Sequence, residues 1–178
     1  MRQPAKDMKV GSIFPTKRNG SITIIRYVTA KEVHVRFQDT GYTTTTGVVE
    51  IRKGVVKDYY LPSVYKVGYI GKGPYPTTGI GRNNNTCYIK WRGMLSRCYN
   101  PKDSNYPNYG AKGITVVPEW HCYQSFAGWC LRHYTEGYVL DKDLLHIAGP
   151  KVYGPFTCSF ITAAENIAER NRRYTKKK

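Results

Sequence analysis

Acidic residues are scarce in this sequence. Twelve Asp and Glu stand against 28 Lys and Arg in 178 residues, a formal net charge of +16. A deficit of that size says nothing about fold but selects polyanions as partners. Affinity for them falls as salt rises, because each phosphate contact releases condensed counterions. Long apolar runs are also missing. None approaches the ~20 residues that a membrane-spanning helix needs, and no basic amphipathic helix is evident, so no membrane partner is expected. The polar opening Met1-Arg2-Gln3-Pro4-Ala5-Lys6-Asp7 is followed by no apolar stretch, so a signal peptide is not expected and the expected location is the cytoplasm. Phe is sparse, with 5 beside 16 Tyr. Tyr combines a flat apolar face with a hydroxyl, which suits contact with sugar and phosphate or a small core whose hydroxyls reach water.

Close metal-ligand pairs are absent as well. Cys87, Cys98, Cys122, Cys130 and Cys158 are odd in number and widely spaced, with no CxxC and no HxxxH. The expectation is reduced, mostly buried thiols acting as small apolar residues. A zinc site is the sharper alternative, since His121, His133 and His146 lie among the cysteines, but structural zinc sites use close pairs.

What is present divides into three parts. Residues 8–70 read as β. Gly11-Ser12-Ile13-Phe14 opens a strand, Arg18-Asn19-Gly20 carries the Asn-Gly hairpin signal, and Ile22, Ile24 and Ile25 mark a second strand. Glu32–Phe37 alternates strictly, with Val33, Val35 and Phe37 on one face and His34 and Arg36 on the other. After the turn at Asp39-Thr40-Gly41, the Thr- and Val-rich run Tyr42–Ile51 and then Val55-Val56-Lys57 complete four or five short strands, suggesting a small SH3-like barrel. Outward His34, Arg36, Arg52 and Lys57 either grip a phosphate backbone or solvate exposed strand faces. Residues 71–86 form a Gly-, Pro- and Asn-rich linker, too rich in glycine for helix or strand. It reads as a connector or as a segment lying in a groove.

Residues 87–178 are mixed. Tyr88, Trp91, Leu95 and Cys98 form one helical stripe, ended by Asn100-Pro101, with Lys90, Arg92 and Arg97 off it. Gly113–Val116 reads as a strand. Pro118-Glu119-Trp120 opens a second helix with Trp120, Phe126 and Trp129 in its core face. Tyr138–Asp143 and Phe156–Ile161 follow as extended segments, and Thr162 with Glu165 makes a capping box for a last helix. That helix leads into the basic tail Lys176-Lys177-Lys178. The fold class is therefore α+β.

The residues from Tyr88 onward resemble phage-encoded HNH homing-endonuclease-like proteins. The match is carried by "Y..W..ML.RCYNP....YPNYG..GI.V...W" from Tyr88 to Trp120, "FAGW" from Phe126, "LDKDLL" from Leu140 and "VYGPFTCSFIT..EN" from Val152 to Asn166. Together these span half the chain. The resemblance implies a ββα-metal core binding one Mg2+ or Mn2+ ion, with Asp141 and Asn166 as metal ligands and Asp143 on the same strand face as Asp141. It also implies a cytoplasmic protein of the phage host. Two positions depart from the family. Lys142 stands where the general-base His is expected, and Thr157 replaces the middle Asn. An ammonium with an ordinary pKa cannot accept a proton at neutral pH unless it is strongly desolvated, and His146 is the substitute base if the protein cleaves.

The reading that follows is a sequence-specific duplex-DNA-binding protein without cleavage activity, a repressor or an antagonist at DNA sites, with no cofactor. The alternative is a metal-dependent endonuclease or nickase using Asp141, His146 and Asn166. In the bland reading, Asp141 and Asp143 are strand-end carboxylates paired with neighbouring cations. The DNA contacts expected are Lys90, Arg92, Arg97, Lys112, Arg170, Arg172 and Arg173, with Arg36 and Arg52 on the N-terminal module. Arg92 and Arg97 could present forks to guanine. No heptad or dimer face sets the oligomeric state; a two-fold operator would demand a dimer.

Overall fold

Alternation with period two puts Val33, Val35 and Phe37 on one side of their strand, and each is fully buried. The computed structural model describes residues 7–79, 85–142 and 151–175. It divides into two units, 1–61 and 62–178. In the first, β1 (Ile13–Pro15), β2 (Ser21–Thr29), β3 (Glu32–Phe37) and β4 (Thr43–Thr46) form an antiparallel sheet in the order β1-β2-β3-β4. Gly20 and Gly41 take left-handed φ values of 67° and 71° in the two expected turns. Ile22 faces Phe37 and Ile24 faces Val35. Between Ile24 and Arg26 the register slips, a bulge that leaves Ile25 outside and brings Tyr27 back opposite Val33.

Among the described residues, the sheet does not close into a barrel. The second half of the expected fourth strand is instead a short helix, α1 (Val48–Lys53), and Val55–Lys57 pairs with no strand. Val48 and Ile51, three apart, lie on its buried face and cover the sheet together with Met8 and Val56. Gly54 ends the helix in the left-handed conformation (φ 63°), its N–H donating to the carbonyls of Glu50 and Ile51. Burial at i, i+3 overrides the strand preference of Val48-Val49.

In the second unit, α2 (Thr86–Tyr99) is capped by Asn85, whose side chain accepts from the Tyr88 N–H. Trp91, Leu95 and Cys98 of the expected stripe are buried, joined by Met94. The expected second helix is broken. Pro118–His121 is a 3-10 turn, Cys122 is extended, and α3 runs from Tyr123 to His133. The break comes from a distant partner: Cys122 bridges Tyr69, with the Tyr69 N–H donating to the His121 carbonyl and the Tyr123 N–H to the Tyr69 carbonyl. Residues 71–79 contain no helix or strand, yet they lie against α3. Gln124 exchanges two hydrogen bonds with the Tyr75 backbone, and the Tyr123 hydroxyl donates to the Pro76 carbonyl at 2.9 Å. Just before them, a Cβ on Gly68 would strike Leu95 and the Trp91 ring, so glycine is required for this close approach.

The remaining elements are β5 (Thr115–Val116), β6 (Val139–Asp141), β7 (Val152–Tyr153), β8 (Ser159–Ile161) and α4 (Ala163–Thr175). β5 pairs parallel with β7, and β6 antiparallel with β8. Trp91, Trp120, Phe126 and Trp129 fill the core, as their spacing predicts, and Tyr123 joins them, with Trp120 and Trp129 centroids 4.7 Å apart.

The cysteines correct one expectation. Cys87 and Cys130 form a disulfide, with Cα atoms 6.0 Å apart, tying the start of α2 to the end of α3. Cys98, Cys122 and Cys158 are free. The pair is 43 residues apart in sequence, and only the packing of two apolar stripes brings it together. No helix among the described residues is long and apolar enough to cross a membrane.

Candidate nucleic-acid interface

Two strands and a helix carry the residues singled out in the sequence. β6 and β8 pair through Val139 with Ile161, Leu140 with Phe160 and Asp141 with Ser159. α4 follows β8 directly and packs against β6. Its start is held by the expected capping box. Glu165 accepts from the N–H and hydroxyl of Thr162 at 2.8 and 2.9 Å, and the Glu165 N–H donates to the Thr162 hydroxyl at 3.1 Å. These bonds hold the Glu165 carboxyl below its usual range.

Asp141, at the end of β6, is only 6% exposed, whereas Asn166 sits in the first turns of α4 and is exposed. Asp143 and His146 lie outside the described residues. Among the described residues, no cluster of three His, Cys, Asp or Glu side chains is arranged to hold a metal. Thr157 donates its hydroxyl to the Val152 carbonyl at 2.6 Å and so closes the turn between β7 and β8.

Lys142 is 5% exposed. Its ammonium lies 4.8 Å from the Tyr109 ring centre and 5.8 Å from that of Tyr153. The two rings stack at 6.4 Å and 18°, and the Arg97 guanidinium stands 5.4 Å from each. Cation–π attraction of this kind strengthens where water is excluded. Two free thiols flank the group. Burial pushes Cys98 and Cys158 up to about 11, against the opposing pull of Arg97 on Cys98 and of Lys142 on both. Burial likewise raises the Tyr153 phenol. The two thiols and the Tyr153 phenol are thus held in their protonated forms near neutrality, and Tyr109 and Tyr153 lie beneath two cations. Sequence spacing gave no sign of that arrangement, since Tyr153 lies far from both cations along the chain.

The cations predicted to reach DNA fall into distinct environments. Lys90 is half-buried, donating to the Tyr138 carbonyl at 2.7 Å with its ammonium 4.9 Å from the Tyr134 ring centre. Burial, then repulsion from Arg97, lowers its pKa. Arg97 is half-buried, and its Nε donates to the Gly93 carbonyl at 3.2 Å. Arg92 is exposed on α2, beside a cavity of about 590 Å³ that Tyr65, Tyr88 and Asp103 also line. Lys112 is exposed and donates to the Asn108 side chain. Arg172 is exposed, while the side chains of Arg170 and Arg173 lie outside the described residues. In the first unit, Arg36 is exposed on the sheet, and Arg52 makes a two-pronged bond with Asp7 at 2.9 and 3.1 Å. That bond holds the Asp7 carboxyl below its usual range.

Comparison with known protein families, with characterised proteins and with solved structures finds no match to this chain.

Proposed function

We propose that this protein binds duplex DNA and does not cleave it, acting as a repressor or as an antagonist at DNA sites. The observation that carries the reading is the environment of Lys142. It follows Asp141, where a nuclease of the HNH type would place its general base, and it is 95% shielded with its ammonium over Tyr109 and Tyr153. A general base must hold a lone pair within hydrogen-bond reach of the attacking water. An amine packed on two rings and shielded from solvent lacks that access. The antiparallel pair β6 and β8, followed by α4, is compatible with the strands and helix that the resemblance implies, with β7 intervening in the chain and pairing elsewhere. The net charge of +16 supplies attraction to phosphate, and Arg92, Lys112 and Arg172 supply exposed donors.

The test is a nicking assay on supercoiled plasmid with and without Mn2+, run beside Asp141→Ala. The expected outcome is no nicking by either protein, with the same DNA shifted in a salt-sensitive manner. Metal-dependent nicking that disappears in Asp141→Ala would overturn the reading in favour of a nuclease that uses Asp141, Asn166 and a base such as His146.

A further inference from the structure

The first unit carries two arginines in a setting unlike that of its Arg52. Pairing across the sheet aligns Ile13, Thr23, Arg36 and Thr43 in one row over all four strands. A second row over β2, β3 and β4 holds Arg26, His34 and Thr45. Both rows lie on the face opposite the buried Ile22, Ile24, Val33 and Val35, because neighbours along a strand point to opposite sides. The bulge after Ile24 is what places Arg26 there. Side chains on this face bond one another: the Gln38 amide donates to the Thr23 hydroxyl at 3.3 Å, and Thr45 meets the His34 ring at 3.2 Å. Arg26 and Arg36 are exposed, and among the described residues neither is paired with a carboxylate. Glu32, two residues from His34 on the same face of β3 and opposite Thr29, stands 3.5 Å from the His34 ring.

We infer that this outer sheet face is a second DNA-binding surface, one that grips the phosphodiester backbone of a duplex without reading bases. The inference rests on the DNA-binding reading above and extends it to the first unit. Charge and hydroxyl chemistry choose the occupant. Arginine forks and threonine hydroxyls are donors for phosphate oxygens, and four strands make a surface roughly 15 Å across at ~4.8 Å spacing. Single-stranded nucleic acid requires aromatic platforms on which bases stack. The two rows contain none, because Phe14, Tyr27, Phe37 and Tyr42 all pack into the core on the other side. Nor does the face fit a lipid surface, since its rows offer one large apolar side chain, Ile13, with Ile25 beside them at the bulge. Arg52 provides the contrast within the same unit: Asp7 engages its guanidinium, and it lies on α1 rather than on the sheet.

The test uses the full chain and its Arg26→Gln/Arg36→Gln variant. Binding to a labelled duplex is followed by fluorescence anisotropy over a series of KCl concentrations. Losing two phosphate contacts should reduce the slope of log K against log salt by about 1.8, equally for related and unrelated duplex sequences. Arg26→Lys/Arg36→Lys keeps both charges and should keep the wild-type slope, and Arg52→Gln should also leave it unchanged. Far-UV circular dichroism checks that each variant is folded. Wild-type binding with an unchanged slope in the Gln double variant would overturn this inference alone. So would retention of the DNA slope together with lost binding to polyglutamate, since the face would then serve an acidic protein. Failure of the wild-type chain to bind duplex DNA at any salt would overturn both this inference and the reading on which it rests.

Discussion

Reducing the Cys87–Cys130 disulfide tests the packing of the second unit without substituting a residue. The bond closes a loop of 43 residues. In the chain-entropy account, a cross-link of that span removes about 13 cal/mol/K from the unfolded ensemble, or about 4 kcal/mol near room temperature. Both sulfurs lie in the core, at 5% and 0% exposure. Alanine substitutions would therefore add cavity costs of their own, whereas reduction leaves two small thiols in an apolar site that accepts them. The three tryptophans, Trp91, Trp120 and Trp129, all belong to the second unit, so their fluorescence follows that unit alone. Urea unfolding watched by fluorescence, with and without dithiothreitol, should show a loss of about 2–4 kcal/mol on reduction. The melting temperature should fall by about 10 °C or more. Thiol titration of the denatured, unreduced chain should find the three free thiols Cys98, Cys122 and Cys158. Coincident unfolding curves, or a titration finding all five thiols, would refute the reasoning.

Two further perturbations probe the same core. Trp91→Phe removes a fully buried indole whose Nε1 donates to the Trp120 carbonyl at 2.7 Å; the unpaired carbonyl and the void should together cost about 3 kcal/mol, read as a lower urea midpoint at unchanged slope. His121 is half-buried, and burial lowers its pKa below the unfolded value of 6.5 despite the Val116 carbonyl beside its Nε2. Because the unfolded chain then binds more protons, its contribution should be complete above that unfolded value and decline as pH falls towards the folded one. Denaturation at a series of pH values should show this slope, reduced in His121→Gln.

What could be read from the sequence was local. The alternation in Glu32–Phe37, the stripe of Trp91, Leu95 and Cys98, and the Thr162–Glu165 capping box each depend on residues within a few positions of one another, and each appears where expected. The elements that differ were decided at long range. Val48-Val49 carries strand-forming residues but becomes α1 because Val48 and Ile51 cover a sheet whose other side faces outward. The helix opening at Pro118 breaks at Cys122 because Tyr69 pairs there. The disulfide joins α2 to α3 across 43 residues. Of the predicted site, the order of strands and helix followed from pattern, but the enclosure of Lys142 by Tyr109 and Tyr153 required the parallel pairing of β5 with β7, which brings two distant tyrosines together.

A sequence counts every cation alike, whereas the fold sorts them, and the sorting bears on how DNA would be recognised. Arg92 and Arg97 look equivalent on α2, yet they are not equally free. Arg92 is exposed and retains its rotamers. Arg97 is held by its own Gly93 carbonyl and by two stacked rings, so its fork is oriented before any ligand arrives. Immobilising a long side chain on binding costs about 0.5–1.5 kcal/mol, and for Arg97 folding has already met much of that cost. Base reading by a guanidinium demands a fixed direction, while phosphate attraction tolerates a mobile one. If α2 enters a groove, Arg97 is then the residue equipped to discriminate sequence and Arg92 the one equipped to hold the backbone. Lys142, beside the same tyrosine pair, is shielded from solvent and fits neither role.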